Sequence, residues 1–233
     1  MNKPNVVVCG LTAAGKTTHA KLLAQDLGYS YVSGTATLAR LCGLQIDDDA
    51  PRWLDIGPAV KARRHDGIDI LLEKELLNLS RERDAQVFDV WALPWTSSDP
   101  SLLRIWLESD RESRAAKCYV SQTGENRLDV VDCASFIDAK DRDNRSLFLR
   151  TVGFDLFTDQ HVFDLVVDNS SFIRAPTREA ADRGIASFAP IVHAAVRVAW
   201  GELESNDLMN LERTCEFTSK VVLKSSDSSE TRL

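Results

Sequence analysis

No apolar run in this chain approaches the roughly 20 residues needed to cross a bilayer. The opening Met-Asn-Lys-Pro-Asn leads directly into a short β-branched run with no signal-peptide core, so a cytoplasmic protein with no membrane partner is expected. Positive charge is not in excess either. Lys plus Arg total 28 against 35 Asp plus Glu, and the net charge of −7 argues against a general affinity for nucleic acid or anionic membranes. Any anionic ligand must therefore be held locally. Metal-type spacing is also missing: Cys9, Cys42, Cys118, Cys133 and Cys215 stand singly, odd in number and without a CxxC pair. They read as reduced thiols, mostly small core residues. His19, His65, His161 and His193 show no spacing suited to a metal or a general base, and no internal repeat is present. What remains is an ordinary globular composition, 44% hydrophobic and 27% charged over 233 residues, enough for one large domain.

Asn5 to Cys9 is a β-branched run stopped by Gly10, the pattern of a strand buried on both faces. Lys16 to Leu27 has apolar residues at helical spacing and Gly28 as a stop, and Tyr29 to Val32 is a second strand candidate. Breaks are expected at Gly43, at Asp47-Asp48-Asp49 before Pro51 and at Gly57-Pro58, and Ala59 to Arg83 reads as one long helix. Gln86 to Val90 and Leu103 to Leu107 are strands separated by a turn-rich Pro94 to Ser101. Arg111 to Ser121 and Val131 to Val152 are charged helices, Val162 to Val167 is a last strand, and Pro176 to Trp200 is an amphipathic helix. Alternating strands and helices imply an α/β fold with a five-stranded parallel sheet covered on both sides, a three-layer α/β/α arrangement spanning residues 1–204. Residues 205–233 form a polar C-terminal segment, expected to be disordered from Ser225.

Gly10-Leu11-Thr12-Ala13-Ala14-Gly15-Lys16-Thr17 matches GxxxxGK[ST] in full, between a predicted strand and a predicted helix. Such a loop curls backbone amides around phosphate oxygens, and the helix start adds its positive dipole end. Lys16 is placed for the β- and γ-phosphates and the Thr17 hydroxyl for Mg²⁺; Gly10, Thr12, Ala13, Ala14, Gly15, Lys16, Thr17 and Thr18 are the candidate ATP-binding residues. A P-loop also needs an acid near its magnesium, and Asp89, at the end of a predicted strand, fits as a metal and catalytic residue beside Thr17. Asp168 is at a strand end too, but reads better as a turn residue.

Phosphoryl transfer needs cations over the transferring group. Arg111, Arg114 and Lys117 share a helical face, and Lys140, Arg142, Arg145 and Arg150 follow on the next helix, interleaved with Asp138, Asp141 and Asp143. Arg114 and Arg145 are the catalytic candidates, against the alternative of a solvated, salt-bridged face.

With these residues in this order, Asn5 to Ile173 resembles the nucleoside monophosphate kinases, and within them the cytidylate kinase-like group. The resemblance rests on the P-loop, on Tyr31-Val32-Ser33-Gly34 through Arg40, on Val87-Phe88-Asp89, on Leu103 to Lys117, and on Lys140-Asp141 with Arg145. Gly153-Phe154-Asp155 and Phe163 to Ser170 complete it. It implies ATP on the P-loop with Mg²⁺ as cofactor, a nucleotide acceptor near Ser33 and Arg40, an acceptor-binding insertion at about 35–84 and a helical lid at about 110–150. Two departures fall on the acceptor side. The family's strand-end acid is followed by Gly-Arg, whose arginine holds the acceptor phosphate, whereas Asp89 is followed by Val90-Trp91. Arg40 also lies one or two residues farther from Ser33 than the family spacing.

Arg63 and Arg64 are candidates to supply the missing cation, and Trp53, Trp91 and Trp95 could stack on a base or belong to the core. Ser33, Arg40, Arg63 and Trp91 are thus the candidate acceptor residues. The expected protein is an ATP-dependent nucleoside monophosphate kinase using a pyrimidine or modified nucleotide. The alternatives are a kinase for a non-nucleotide metabolite and a nucleotide-binding regulatory module without turnover.

Overall fold

A computed structural model describes residues 3–46, 53–123, 127–224 and 230–232. Its frame is a seven-stranded sheet in the order β2-β3-β1-β4-β5-β6-β7, comprising β1 (Val6–Cys9), β2 (Ser30–Ser33), β3 (Gln86–Asp89), β4 (Leu103–Glu108), β5 (Leu165–Asp168), β6 (Lys220–Lys224) and β7 (Glu230–Arg232). The first five strands are parallel. β1 sits between β3 and β4 with all four side chains buried, which is why its sequence is an unbroken apolar run rather than an alternating one.

The period of two along β1 divides the core. Val6 and Val8 face a cluster with Leu23, Phe188, Ile191 and Val192 from α1 (Lys16–Leu27) and α8 (Arg178–Ala199). Val7 and Cys9 face a cluster with Leu38, Leu72, Leu76 and Trp106, where α2 (Gly34–Leu41) and α4 (Asp66–Glu82) cover the sheet. A third, smaller cluster of Cys118, Cys133 and Ile137 joins α6 (Arg111–Ser121) to α7 (Val130–Thr151). Asp110 and Asp129 cap these last two helices, accepting from Ser113 N and Asp132 N at 2.8 Å each.

The structure corrects the sequence reading in several places. Two antiparallel strands extend the five-stranded sheet to seven, and the polar segment after residue 204 carries α9 (Ser205–Thr214) as well as β6. Composition hides its order because a few residues carry it: Leu208 and Val221 are buried in the first cluster. The expected disorder from Ser225 is likewise corrected at Glu230–Arg232, which pair with the open edge of β6; residues 225–229 and 233 lie outside the described ones. The long helix expected from Ala59 is two, α3 (Trp53–Arg63) and α4, separated by His65 in an extended conformation (φ −145°) while Arg64 pairs with Asp69. Gly57-Pro58 does not break α3. The Trp53 indole lies across Gly57, where any side chain would meet it at 2.9 Å. The stretch read as turn-rich contains a short helix, α5 (Leu93–Thr96), and the expected break at Asp47 to Pro51 lies outside the described residues.

Candidate active site

The loop between β1 and α1 owes its shape to backbone that few residues adopt. Gly10 has φ 150° and Gly15 φ 98°, and Ala13 is left-handed at φ 63°. A Cβ at Gly10 would meet the Leu107 carbonyl oxygen at 2.6 Å. α1 has no side-chain cap, so its first amides are left for a ligand. Lys16 Nζ folds back, donating to the carbonyl oxygens of Gly10 (2.8 Å) and Leu11 (3.0 Å), and lies 4.2 Å from the centre of the Trp91 ring. Burial holds its pKa below the usual lysine range, with the carboxylates of Asp89 and Asp141 opposing.

Asp89, buried at the end of β3, accepts a hydrogen bond from Thr17 Oγ1 at 2.5 Å and from the Tyr31 hydroxyl at 3.0 Å on the same oxygen. A hydroxyl and a carboxylate from two different elements thus meet beside the lysine. These are hard oxygen donors of the kind Mg²⁺ takes, and they fit that ion. Asp168 instead closes a turn, accepting from Ser170 N at 2.8 Å and Ser170 Oγ at 2.6 Å.

Two fasteners tie α6 and α7 to the loop. Arg114 Nη1 donates to Asp141 Oδ2 at 2.6 Å and to the Thr12 carbonyl at 3.2 Å, while Thr12 N donates to Asp141 Oδ1 at 2.9 Å. On the other side Lys117 Nζ donates to Ser109 Oγ (2.8 Å) and Asn169 Oδ1 (2.5 Å), and Asn169 Nδ2 donates to the Ala14 carbonyl at 2.9 Å. Burial lowers the Lys117 pKa to about 7.

A cavity of about 550 Å³ runs past the loop. Between α6 and α8 it is walled by Lys117, Ser121, Ile173, Arg178 and Ile185; beyond Lys16, Thr17 and Asp89 it continues to Trp53, Arg64, Asp69, Glu73, Trp91, Lys140 and Asn144, which come from α3, α4, α7 and their flanks. The expected loop residues Thr12, Ala13, Gly15, Lys16, Thr17 and Thr18 line it, whereas Ala14 is fully buried and Gly10 acts by shaping the turn. Lys140 Nζ lies 3.3 Å from the centre of the Trp53 ring, and burial, reinforced by Lys16, Arg64 and Lys61, lowers its pKa to about 6.

Several expected residues are elsewhere. Arg145 is held by Asp155 and faces Phe157 away from the cavity wall, because that carboxylate is the nearer anion. Arg114 is turned to Asp141 and buried, so it braces the loop rather than lining the cavity. Ser33 caps α2 by accepting from Ala36 N at 3.2 Å, leaving Gly34 and Thr35 on the wall. Arg40 and Arg63 are exposed; of the arginine pair at the end of α3, it is Arg64, just past the helix, that turns inward, paired with Asp69 at 2.6 Å. Trp91 is on the wall, while Trp95 stacks on Phe154 in the core. Sequence reasoning did not single out Glu73 or Asn144. It placed Lys117 and Lys140 in cationic clusters, but spacing alone does not say which cation of a cluster turns inward.

A parallel sheet, a GxxxxGKT loop at the end of its central strand and an acid on the neighbouring strand together define a P-loop phosphotransferase. A sequence model of the cytidylate kinase-like family matches residues 5–171, and the chain belongs to that family. It is 26% identical over 159 residues to the cytidylate kinase of Natronomonas pharaonis, covering 63% of this chain and 80% of that protein. It is 29% identical over 110 residues to the cytidylate kinase of Haloarcula marismortui, covering 47% and 54% respectively. A solved structure of an uncharacterized protein from Eubacterium ventriosum shares the fold, with a TM-score of 0.54 at 10% identity over 82% of this chain and 96% of that one. The protein is a nucleotide-binding kinase of the P-loop class. Among the described residues no helix is long and apolar enough to cross a membrane.

Proposed function

We propose that this chain transfers the γ-phosphoryl group of ATP to a pyrimidine nucleoside monophosphate. The observation that carries the reading is one cavity that joins the phosphate loop to a second end holding cations and flat rings, Arg64 and Lys140 beside Trp53 and Trp91. ATP binds with its phosphates on the loop amides and its nucleoside between α6 and α8. Lys16 leaves the Gly10 and Leu11 carbonyls to meet charge at the β- and γ-phosphates, which develops further in the transition state. Thr17 and Asp89 would hold Mg²⁺, which when bound offsets phosphate charge.

Arg64 and Lys140 take the acceptor's phosphate, replacing the arginine that the family places where Trp91 stands. The route is different but the charge is restored: two cations from α3's end and α7 instead of one from the strand end. The acceptor phosphate is already anionic, so no general base is required. With ATP at the α6–α8 end of the cavity and the acceptor beyond Lys16, donor and acceptor meet at the loop, the positioning on which in-line transfer depends.

A kinase for a non-nucleotide metabolite is the second reading, and the carboxylates Asp69 and Glu73 at the acceptor end favour it, since they suit hydroxyl donors. An ATP-consumption assay over CMP, UMP, AMP, GMP, dCMP, dTMP and modified pyrimidine monophosphates, with polyhydroxy acids as a second panel, separates the two. Turnover with a pyrimidine monophosphate is expected. Turnover with a polyhydroxy acid and with no nucleotide would overturn the proposal.

A further inference from the structure

The acid at the end of β3 has a partner that the phosphate loop does not supply. The Tyr31 hydroxyl, from β2, donates to Asp89 Oδ2 at 3.0 Å, on the same oxygen that accepts from Thr17 Oγ1 at 2.5 Å. Both bonds thus load one oxygen of the carboxylate. Among the described residues Oδ1 receives no hydrogen bond, although Asp89 is only 9% exposed and lines the cavity.

The sheet register explains why this partner is a tyrosine. β2 runs parallel to β3 with Ser33 opposite Asp89 and Tyr31 opposite Val87. Tyr31 therefore starts two residues, or about 7 Å along the strand, short of the acid, a gap that a phenol spans and a serine or threonine hydroxyl does not. Its ring is held by packing: Tyr31 and Val87 share the first core cluster, and Lys21 of α1 lies over the ring with Nζ 5.5 Å from its centre. Lys21 is one turn on from Thr17, so one face of α1 both covers the ring and supplies the second hydroxyl. The terminal torsion of an aspartate is broad, and a single hydroxyl would leave the carboxylate to turn about that one bond. Two donors from different elements fix it. Such fixing matters to Mg²⁺ in particular, which demands near-ideal octahedral placement of its oxygens.

We propose that Tyr31 is a positioning residue for the metal: its hydroxyl, with that of Thr17, holds Asp89 Oδ2 and leaves Oδ1 for Mg²⁺ or its waters. This goes beyond the function proposed above and rests on its assignment of Asp89 to the ion. Tyr31 touches no substrate and moves no proton; it acts only through the carboxylate. Partners behind a metal-binding group orient it, and their loss costs about 10–100-fold in metal affinity or activity.

The test is Tyr31→Phe, which keeps the ring and removes only the hydroxyl. A non-hydrolysable ATP analogue is titrated calorimetrically into the native protein, Tyr31→Phe, Asp89→Asn and the double variant, each with Mg²⁺ and with a chelator in its place. Tyr31→Phe should bind the metal-free analogue as the native protein does while losing about 10-fold or more of the gain that Mg²⁺ brings. In turnover the Mg²⁺ concentration for half-maximal rate should rise by a similar factor. In the Asp89→Asn background Tyr31→Phe should change the Mg²⁺ gain little further, because the two residues act as one unit. Tyr31→Met, which fills similar space without a donor, gives the same reading should Tyr31→Phe not fold. A native Mg²⁺ gain in Tyr31→Phe would overturn this inference alone. So would equal weakening of the metal-free and metal-loaded analogue, the mark of a merely structural role, or a full further loss in the Asp89→Asn background. A native Mg²⁺ gain in Asp89→Asn itself would overturn it together with the assignment of that acid to the metal.

Discussion

Arg114 and Asp141 form an ion pair that is almost wholly out of water, their side chains 7% and 3% exposed, and both also bond to the backbone of Thr12. A buried pair of this kind contributes little net energy as a pair, but removing one partner strands the other. Asp141→Ala should therefore cost about 3–5 kcal/mol in a denaturant titration and lower ATP affinity, since Thr12 N loses its acceptor as well. A loss below about 1 kcal/mol would show that water reaches Arg114. Lys16→Ala removes the group proposed to meet charge on the phosphates; phosphoryl transfer should fall by about two orders of magnitude or more with the melting temperature nearly unchanged. A folded Lys16→Ala protein of near-native activity would refute the role. At Asp89, replacing the carboxylate by Asn weakens the oxygen set offered to Mg²⁺, so part of the lost rate should return as Mg²⁺ is raised. An unchanged magnesium dependence would show that another group holds the ion.

α8 packs so closely on the turn after β5 that a Cβ at Gly184 would meet the Phe172 carbonyl oxygen at 2.5 Å. Backbone cannot swing aside as a side chain can, so Gly184→Ala must push the helix outward. About 1–3 kcal/mol should be lost, seen as a drop of roughly 2–4 °C per kcal/mol in melting temperature. ATP KM should rise too, because Arg178 and Ile185 of the same helix wall the cavity. Truncation separates the last strands: ending the chain after Thr218 removes Val221 from the core and should lower the melting temperature by several degrees, whereas ending it after Lys224 should change it little. A large effect of the shorter deletion would mean that β7 contributes more than an edge pairing. The elements legible in the sequence were those whose signal is local: Val6–Cys9 as a doubly buried strand, the GxxxxGKT loop, and the apolar face of α8. The break between α3 and α4 escaped because helical spacing continues across it, and β6 because one buried valine scarcely alters a polar composition. At the site, Arg114 with Asp141 and Arg64 with Lys140 on one cavity wall are placed by packing between elements far apart in sequence, which no local pattern announces.

A chain of net charge −7 whose proposed substrates are two anionic nucleotides must concentrate its cations, and it does so at a cost in protonation. Lys117 and Lys140, pushed by burial to pKa values of about 7 and about 6, are mostly uncharged in the empty protein at about pH 8. The unfolded chain would hold both protons there, so these two groups make stability rise with pH from about 6 or 7 toward the ordinary lysine value of 10.5. Bound phosphates reverse the balance, because an adjacent anion favours the charged ammonium. Binding at about pH 8 should then take up protons, and acceptor affinity should fall as pH rises above about 7. Titrating CMP and a non-hydrolysable ATP analogue at about pH 8 in two buffers of different ionisation enthalpy reads that uptake directly. Net uptake is expected, with the CMP-linked share lost in Lys140→Met and the acceptor KM of that variant raised about 10-fold or more. Zero uptake or net release would mean that both lysines are already charged before the phosphates arrive, and that burial is offset by water within the cavity.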